Sequence, residues 1–517
     1  MNYADLFRVT LPETALEIAA LVVLVVDLGF LRKAALKLRV TVAALLGVAG
    51  CGAALWALQF QGHIWLSADG EFGSALLGTG AYIAVAQTGI LVLTVLTLLL
   101  LIDSNFTRHV GEFVAVVLMA AVGGLLIAGA QDLLVIFVGL ELLSLGLYIM
   151  TAFAKSSAKS AEAAMKYYLF GGMSAAFLLF GFSYFYGLSG TTSLSGIQDA
   201  ITQSGSSPLF YIAWILVVAG LGFKVAAVPF HLWAPDTYEG APAPAAAFIA
   251  SVSKVASFAL LLTLFQTWMI YPGTFDLGKS EADKLFFHSD QTWLPLTAIV
   301  LIVAAASMIV GNLAALAQTS VRRLLAYSAI AHAGYILLGV ATYSKYAGHV
   351  AAMSGMIVST NAVLFYILTY GLTTIGAFGV VSVVERATGS DRLDSFSGLH
   401  KRNPLLAAVL LVLFLSLAGI PPLVGFYAKF NLFAAVLGVS AGPVPFALVA
   451  LAIAFSAVSL YYYLQVLKRA YVMPARDESP IKAHPVTLTV LVAIAATVVL
   501  LGCFPALLQN WIESFYK

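Results

Sequence analysis

Charged residues are scarce in this sequence, and their scarcity excludes an ordinary soluble domain. Of its 517 residues, 10% are charged and 61% are hydrophobic, whereas soluble domains carry about 25% charged residues. Mean hydropathy is +0.98. Runs of about 18 or more apolar residues recur along the chain, which predicts membrane-spanning helices. The short alternating segments of a transmembrane β-barrel are missing. The sequence therefore predicts an all-α polytopic membrane protein.

Cysteine is nearly absent, and so are nucleotide-binding motifs. Cys51 and Cys503 are the only cysteines, and two thiols cannot hold an iron–sulfur cluster or a structural zinc ion. The sequence has no Walker A motif and no G-x-G-x-x-G after a strand, which argues against a nucleotide site. The net charge of +2 gives no reason to expect nucleic-acid binding. The N-terminus lacks the basic region of a signal peptide, so we expect the first apolar run to be an uncleaved helix.

Hydropathy predicts about fourteen membrane helices of about 20 residues each. Their predicted centres are Val22, Ala49, Leu91, Val122, Leu142, Leu178, Val218, Ser257, Ala305, Ala333, Tyr366, Phe414, Ile453 and Ile494. Most lysines and arginines then fall in loops on one side, which the positive-inside rule makes cytoplasmic. Both termini are then expected on the other, periplasmic side, as an even number of helices requires.

Six ionisable residues fall within or near the apolar spans. They are Glu141, Lys166, Lys224, Lys254, His332 and Lys429. A lysine at a helix centre costs about 2.5–3.5 kcal/mol on insertion scales, and such residues are functional candidates. Desolvation favours release of a lysine's proton, whereas a nearby carboxylate favours its retention. An ion pair with Glu141 that forms and breaks would therefore act as a proton switch, and several lysines would form a relay.

Structural roles stay open for each of these residues. Lys166 and Lys254 could extend their charged ends to the membrane interface. Glu141 could form a static pair with a lysine, and His332 could be a satisfied core residue. A chain whose lysines carry no protons would be a membrane scaffold, which loss of pumping after a single lysine substitution would exclude.

Prolines interrupt two predicted spans close to lysines. Pro229 lies five residues after Lys224, and Pro421 and Pro422 lie about two turns before Lys429. Proline has no N–H, so it leaves the carbonyl four residues earlier without its helical partner. A free carbonyl beside a lysine attracts water, and water conducts protons. The prolines could also serve only to kink helices for packing.

The interrupted spans are the seventh and the twelfth, so they cross the membrane in opposite directions. Broken helices in corresponding positions of inverted halves are typical of transporters. We therefore predict two inverted five-helix repeats, at residues 111–271 (helices four to eight) and 292–470 (helices nine to thirteen). Residues 1–110 would form three preceding helices, and residues 471–517 the fourteenth.

Four segments together resemble the antiporter-like subunits of respiratory complex I. They are "GLELLSLGLYIMTAFAKSSAKSAEAAMKYYLFGG", "FKVAAVPFHLWAPDTYEGAPAP", "RRLLAYSAIAHAGYILLG" and "LAGIPPLVGFYAKF". The resemblance runs from about Glu112 to Arg469. It implies proton translocation driven by NADH oxidation and quinone reduction elsewhere in the complex. It also implies that NADH, FMN, iron–sulfur clusters and quinone are bound by other subunits, with no cofactor or metal held by this chain.

The resemblance also implies roles for the buried charges. It matches Glu141 to the family's fifth-helix glutamate and Lys224 to its partner on the broken seventh helix. Lys254 matches the connecting lysine of the eighth helix, and Lys429 the outlet-side lysine of the broken twelfth. Further relay positions match Lys166 and His332. The implied partners are other membrane subunits of the complex and membrane lipids, in the bacterial inner membrane.

Related membrane proteins remain as alternatives. The family's larger subunit has an additional C-terminal lateral helix and is disfavoured, because this chain ends soon after its fourteenth predicted span. A subunit of a cation/proton antiporter or of a related hydrogenase stays open, since it shares the Glu–Lys pair and the prolines. The segment "PFHLWAPDTYEGAPAP", and a lysine at position 429 where some relatives have glutamate, favour complex I.

Overall fold

The computed structural model describes residues 7–60, 76–204, 207–269, 294–341, 349–439, 442–475 and 479–516. Within these ranges the chain is helical, with isolated β-bridges and no strand. The membrane crossings are α1 Leu11–Val25, α2 Leu36–Leu58, α3 Ala81–Leu101, α4 Val110–Gly129, α5 Leu133–Thr151, α6 Ala158–Ser189, α7a Pro208–Val225, α7b Trp233–Gly240, α8a Ala243–Ala250, α8b Val252–Met269, α9 Leu294–Leu316, α10 Val321–Ala341, α11 His349–Thr388, α12a Pro404–Ala418, α12b Val424–Val439, α13 Pro443–Tyr471 and α14 Pro485–Cys503. Short helices Leu194–Ser204 and Ala506–Ser514 lie between and after them.

The number of crossings agrees with the sequence prediction. Among the described residues, 12 helices are long and apolar enough to cross a membrane, counting α8a and α8b as one. The first crossing is shorter, since α1 has 15 residues, and a π-helical turn at Val26–Phe30 lengthens it. The twelfth consists of two short apolar helices. All fourteen predicted centres lie in these crossings, so the predicted all-α polytopic fold is confirmed.

The seventh and twelfth crossings are broken, as the prolines predict. The first half of the seventh crossing ends at Val225, where Ala226 adopts a left-handed conformation with φ of 58°. The first half of the twelfth crossing ends at Ala418, where Gly419 has φ of 86°. A left-handed residue is a common way to end a helix, because the following amides then bond the last carbonyls.

The eighth crossing contains an interruption that the sequence analysis did not predict. Helix α8a ends at Ala250, Ser251 has φ of −121° and ψ of −74°, and α8b starts at Val252. No proline marks this site. Lys254 lies in the first turn of α8b. The seventh, eighth and twelfth crossings, which carry the buried Lys224, Lys254 and Lys429, are therefore all interrupted near a lysine.

Contacts between helix ends define two opposite sides of the helix bundle. Arg386 at the end of α11 pairs with Asp103, which follows α3, and the amide of His484 at the start of α14 also bonds Asp103. We call this side, which also holds the link between α9 and α10, the basic end. On the opposite side Leu77 bridges Ala130. The helices therefore alternate in direction, as the predicted topology requires.

Two groups of five helices pack in the same way. Helix α4 lies along α5 and touches α8b, just as α9 lies along α10 and touches α13. Helix α6 contacts both halves of α7, and α11 contacts both halves of α12. Glycines allow the close pairs: a Cβ on Gly139 of α5 would meet Ile127 at 2.7 Å, and one on Gly334 of α10 would meet the Ala304 carbonyl at 2.7 Å. This correspondence agrees with two five-helix repeats.

Helices α8 and α10 are enclosed by the others, and nearly all their described side chains are buried. Helices α6 and α13 instead present large apolar side chains to the outside, such as Phe180 and Phe446. Because α8 carries Lys254 and α10 carries His332, two predicted site residues lie on the most enclosed helices of the bundle.

Candidate functional site

Lys254 bonds the carbonyl that the break in α7 leaves free. Its Nζ donates to the Val225 carbonyl at 2.9 Å and to the Ala329 carbonyl of α10 at 3.1 Å. The side chain is 3% exposed. Pro229 cannot bond Val225, so this acceptor is available. From the sequence we expected water beside this carbonyl. The structure instead places the ammonium group of Lys254 there.

Lys429 occupies the same kind of position at the break in α12. Its Nζ donates to the carbonyls of Leu417 and Ala418, each at 3.1 Å, and to Ser456 Oγ at 2.9 Å. These are the two carbonyls that Pro421 and Pro422 leave without a helical donor. The lysine is 5% exposed. Both breaks therefore provide backbone acceptors that fit a buried ammonium group.

Lys224 contacts a hydroxyl group instead of a carboxylate. It is the penultimate residue of α7a, and its Nζ donates to Ser144 Oγ of α5, which donates to the Leu140 carbonyl. The ammonium also lies 5.8 Å from the centre of the Tyr148 ring and 5.6 Å from that of Phe223. Aromatic faces stabilise a cation at such distances.

Glu141 lies on the outward face of α5. Exposed Leu134, Val138 and Leu145 continue the same face at helical spacing. The described residues include both Glu141 and Lys224, and the two form no ion pair, although the carboxylate acts on the lysine electrostatically. Ser144 lies one turn after Glu141 and is the direct contact of Lys224. The structure therefore brings the predicted pair near each other without joining it.

His332 lies near both carbonyl-bound lysines. Its Nδ1 is 2.9 Å from the Tyr366 hydroxyl, and its Nε2 is 3.5 Å from the Tyr463 hydroxyl. Lys254 and Lys429 both act on it electrostatically, and the Leu417 carbonyl that binds Lys429 also faces the ring. The imidazole is 4% exposed. The imidazole therefore lies near buried lysines of both α8 and α12.

A small cavity adjoins this histidine at the break in α12. Among its lining residues are His332, Tyr366, Thr369, Ser416 and Gly425. It has room for about one water molecule, the minimum for a hydrated link between polar groups. Water in this position would contact both the imidazole and a hydroxyl group.

Lys166 lies apart from the buried group. Its side chain is 40% exposed, and its Nζ pairs with Glu162 at 2.6 Å and Asp236 at 2.7 Å. These contacts are at the basic end. The alternative that Lys166 extends toward the interface therefore describes its position better than a place among the buried lysines.

Two groups of polar contacts in the structure were not predicted from the sequence. Asp27 is 1% exposed and forms two bonds with Arg39, at 2.7 and 2.6 Å, and accepts from the Gly111 amide at 3.0 Å. The lone aspartate in "LVVLVVDLGF" was the available signal. The second group is the hydroxyl of Tyr463, which bonds Ser328 as well as His332; nothing in the sequence distinguishes it from neighbouring tyrosines.

No group of His, Cys, Asp and Glu side chains in the described ranges has the geometry of a metal site. Cys51 is buried and Cys503 is exposed, and both are free thiols. The chemistry that these residues offer is acid–base: three buried amines, one imidazole, one carboxylate and several hydroxyl groups.

Comparison with known proteins shows the family of this chain. The family model described as NADH:quinone oxidoreductase/Mrp antiporter, TM, matches residues 130–274 and 284–456. NADH-quinone oxidoreductase subunit N 2 of Acidobacterium capsulatum is 46% identical over 523 residues, covering 99% of both chains. A chain of respiratory complex I from Thermus thermophilus with bound aureothin is 30% identical, with a TM-score of 0.75 and coverage of 96% of this chain and 98% of that one.

A chain of the Mrp complex from Dietzia sp. DQ12-45-1b has a TM-score of 0.74 at 20% identity, covering 97% of this chain and 96% of that one, which shows a shared fold. The similarity to subunit N extends over the full chain, so the resemblance found in the sequence is confirmed. The chain belongs to the NADH:quinone oxidoreductase/Mrp antiporter family of membrane proteins, and within it to the subunit N group of NADH-quinone oxidoreductases.

Proposed function

We propose that this chain is a proton-translocating membrane subunit of an NADH:quinone oxidoreductase. The observation that carries the proposal is the pairing of each broken helix with a buried lysine. Lys254 and Lys429 donate to the carbonyls freed at the two breaks. An ammonium bound only by neutral carbonyl and hydroxyl groups is stabilised less than one in an ion pair, so it can release its proton.

The proposed proton path follows the buried polar groups. It starts at Glu141, continues through Ser144 to Lys224, and then reaches Lys254, which binds the carbonyl of Val225, the residue after Lys224. The next groups are His332, three residues after the Ala329 acceptor on α10, and then Lys429, which binds the Leu417 carbonyl that also faces His332. Protons would move between these groups when the breaks and side chains shift.

The redox chemistry belongs to other subunits in this proposal. NADH, FMN, iron–sulfur clusters and quinone would bind elsewhere in the complex, and this chain would contribute to the enzyme as its proton-moving part. Moving one charge against about 100 mV costs about 2.3 kcal/mol. A change of two pKa units in a relay lysine supplies about 2.7 kcal/mol, which is sufficient for the step.

Neighbouring membrane subunits are the proposed partners. Pro229 and Leu232 in the break of α7 are exposed in the isolated chain, and so are Pro421 and Pro422. Irregular backbone within a membrane is tolerated only where protein or a wet cavity covers it. Glu141 also needs to be covered by a neighbouring subunit, because it lies on the outward face of α5 and a carboxylate is costly in contact with lipid tails. Lipid would cover the apolar faces of α6 and α13.

We place the chain in the bacterial inner membrane with its basic end in the cytoplasm and both termini on the periplasmic side. The support is the excess of lysine and arginine at the basic end. We also propose the division into residues 1–110, a first repeat at 111–271, a second repeat at 292–470, and a last helix in 471–517. The matching packing of the two groups of five helices supports it.

The test is the Lys224→Ala variant in the native complex, with exposed Lys401→Ala of the basic end as the matched control. We expect NADH:quinone reduction and NADH-driven proton uptake to fall together in Lys224→Ala, while blots show full assembly. Lys401→Ala should keep both activities. If Lys224→Ala also keeps both, the lysine carries no protons in this reaction. Sodium- or potassium-driven proton exchange, measured in the same vesicles, would then reveal a cation/proton antiporter.

A further inference from the structure

A cluster of ion pairs holds α7b at the basic end. Arg323 of α10 places Nη1 2.5 Å from Asp236 Oδ1 and 3.1 Å from Glu239 Oε2. Lys166 of α6 lies 2.7 Å from the other oxygen of Asp236, and Lys159 lies 3.3 Å from Oε1 of Glu239. Asp236 thus joins α6 of the first five-helix group to α10 of the second through its two oxygens.

Arg322 holds the same short helix by its backbone. Its Nη1 donates to the carbonyls of Glu239 at 3.0 Å and Ala241 at 2.7 Å, and its Nη2 pairs with Glu385 of α11 at 2.6 Å. The residue is 4% exposed. The last carbonyls of a helix lack helical donors and carry partial negative charge, so a guanidinium group satisfies both needs. Two successive arginines of α10 therefore bind α7b, Arg322 at its last carbonyls and Arg323 through Asp236 and Glu239.

The other end of α7b is tied to the residue before Lys224. Trp233, the first residue of α7b, donates from Nε1 to the Phe223 carbonyl at 3.0 Å. Its indole stacks on Tyr167 of α6 with ring centres 4.2 Å apart. The two halves of the broken helix are thus linked across the break. Helix α7b therefore lies between the ion-pair cluster and the end of α7a, and it contacts both.

The two acceptors of Lys254 belong to the segments that the cluster joins. One acceptor, Val225, ends α7a, and the other, Ala329, lies six residues after Arg323 on α10. These are the two segments that the Asp236–Arg323 pair joins through α7b. A change of an ångström in their separation would deprive Lys254 of one carbonyl, because both bonds are already near 3 Å.

We propose that Asp236, Arg322 and Arg323 are positioning residues that set the spacing of the two carbonyls bound by Lys254. None of them contacts Lys254; Asp236 does contact Lys166, which lies outside the proposed proton path. Their effect passes through α7b and α10, and it depends on the proposed function of Lys254 as a proton carrier. The cluster thereby connects the two five-helix groups at the point where the proton crosses from one to the other.

The test is Asp236→Asn in the native complex, with Glu162→Gln as the matched control. Glu162 also contacts Lys166, at 2.6 Å, but it belongs to the same helix and reaches neither α7b nor α10. We expect Asp236→Asn to lower proton uptake and quinone reduction at least about fivefold, since misplacement by an ångström can cost up to about a hundredfold. Glu162→Gln should keep wild-type activity.

Two further variants separate positioning from a general structural role. Asp236→Glu keeps the charge and should restore at least half of the proton uptake. The double variant Asp236→Asn with Arg323→Gln should lose no more activity than the more affected single variant, because both substitutions remove the Asp236–Arg323 link. If the losses multiply, or Asp236→Glu behaves like Asp236→Asn, the residues do not act as one positioning unit and the proposal is wrong.

Wild-type activity in assembled Asp236→Asn would also overturn the proposal. So would an equal loss in Glu162→Gln, or failure of the Asp236 and Arg323 variants to assemble while Glu162→Gln assembles, since the cluster would then serve folding alone. Lys254→Ala is measured in the same series. If it pumps normally, the proposed function fails; if it is inactive while Asp236→Asn is normal, only the positioning role fails.

Discussion

Replacing Pro229 with alanine should restore the backbone donor that competes with Lys254. In the wild type the Val225 carbonyl accepts from Lys254 Nζ at 2.9 Å. An alanine at position 229 has an N–H that can bond this carbonyl if α7 closes by another turn. Lys254 would then keep only the Ala329 carbonyl, and the second acceptor of the relay would be lost.

The substitution shifts the free energy of α7 toward closure of the helix. Proline costs about 3 kcal/mol relative to alanine in a helix interior, and the left-handed Ala226 costs about 1–2 kcal/mol that closure would release. Against this, closure loses a charge-assisted bond of about 1.5–3 kcal/mol and the neutral Trp233–Phe223 bond of about 0.5–1.5 kcal/mol. Relative to the wild type, removing the proline shifts this balance by about 3 kcal/mol toward the closed helix.

The assay is proton uptake and quinone reduction by Pro229→Ala in native membranes, with Pro404→Ala as control. Pro404 is the first residue of α12a, where an amide has no helical acceptor, so its replacement changes no such bond. We expect a loss of about fivefold or more in Pro229→Ala, since a shift of about 1–2 kcal/mol already changes the populations by a factor of about 5–30. Wild-type activity in an assembled Pro229→Ala complex would refute the role given to the free carbonyl.

Three more variants test separate parts of the structure. Asp27→Asn should lower the free energy of unfolding by about 3 kcal/mol, because it leaves Arg39 without its buried partner; thermal unfolding of the purified complex measures this, and an unchanged midpoint contradicts it. Tyr366→Phe removes the hydroxyl 2.9 Å from His332 Nδ1 and should slow proton uptake severalfold in vesicles; an unchanged rate would exclude this contact from the relay. Ala226→Gly should raise stability by up to about 1 kcal/mol without loss of uptake, because glycine accepts the left-handed conformation; a lower melting temperature would count against it.

The breaks and the buried amines could be predicted from the sequence because their causes are local. Pro229 removes a donor from its own helix wherever that helix packs, and Pro421 and Pro422 do the same. Lys224, Lys254 and Lys429 are conspicuous in apolar runs for a similarly simple reason, the cost of desolvation. These features therefore appear in the structure where the sequence analysis placed them.

The partners of the amines could not be predicted, because they come from other helices. Nothing near Lys254 in sequence indicates Val225 or Ala329, and the direct contact of Lys224 is Ser144 although a carboxylate lies one turn away. Arg322 and Arg323 looked like ordinary loop charges, since the positive-inside rule accounts for basic residues by side alone. Their contacts with α7b depend on how α10 packs against it.

The most direct test of the account is Lys254→Arg compared with Lys254→Ala. Arginine supplies donors for both carbonyls, Val225 and Ala329, but it does not release its proton in a protein. If Lys254 carries protons, NADH-driven proton uptake in Lys254→Arg falls to the level of Lys254→Ala while the complex remains assembled. If Lys254→Arg pumps like the wild type, the residue only ties helices together, and the proposed relay through the helix breaks is contradicted.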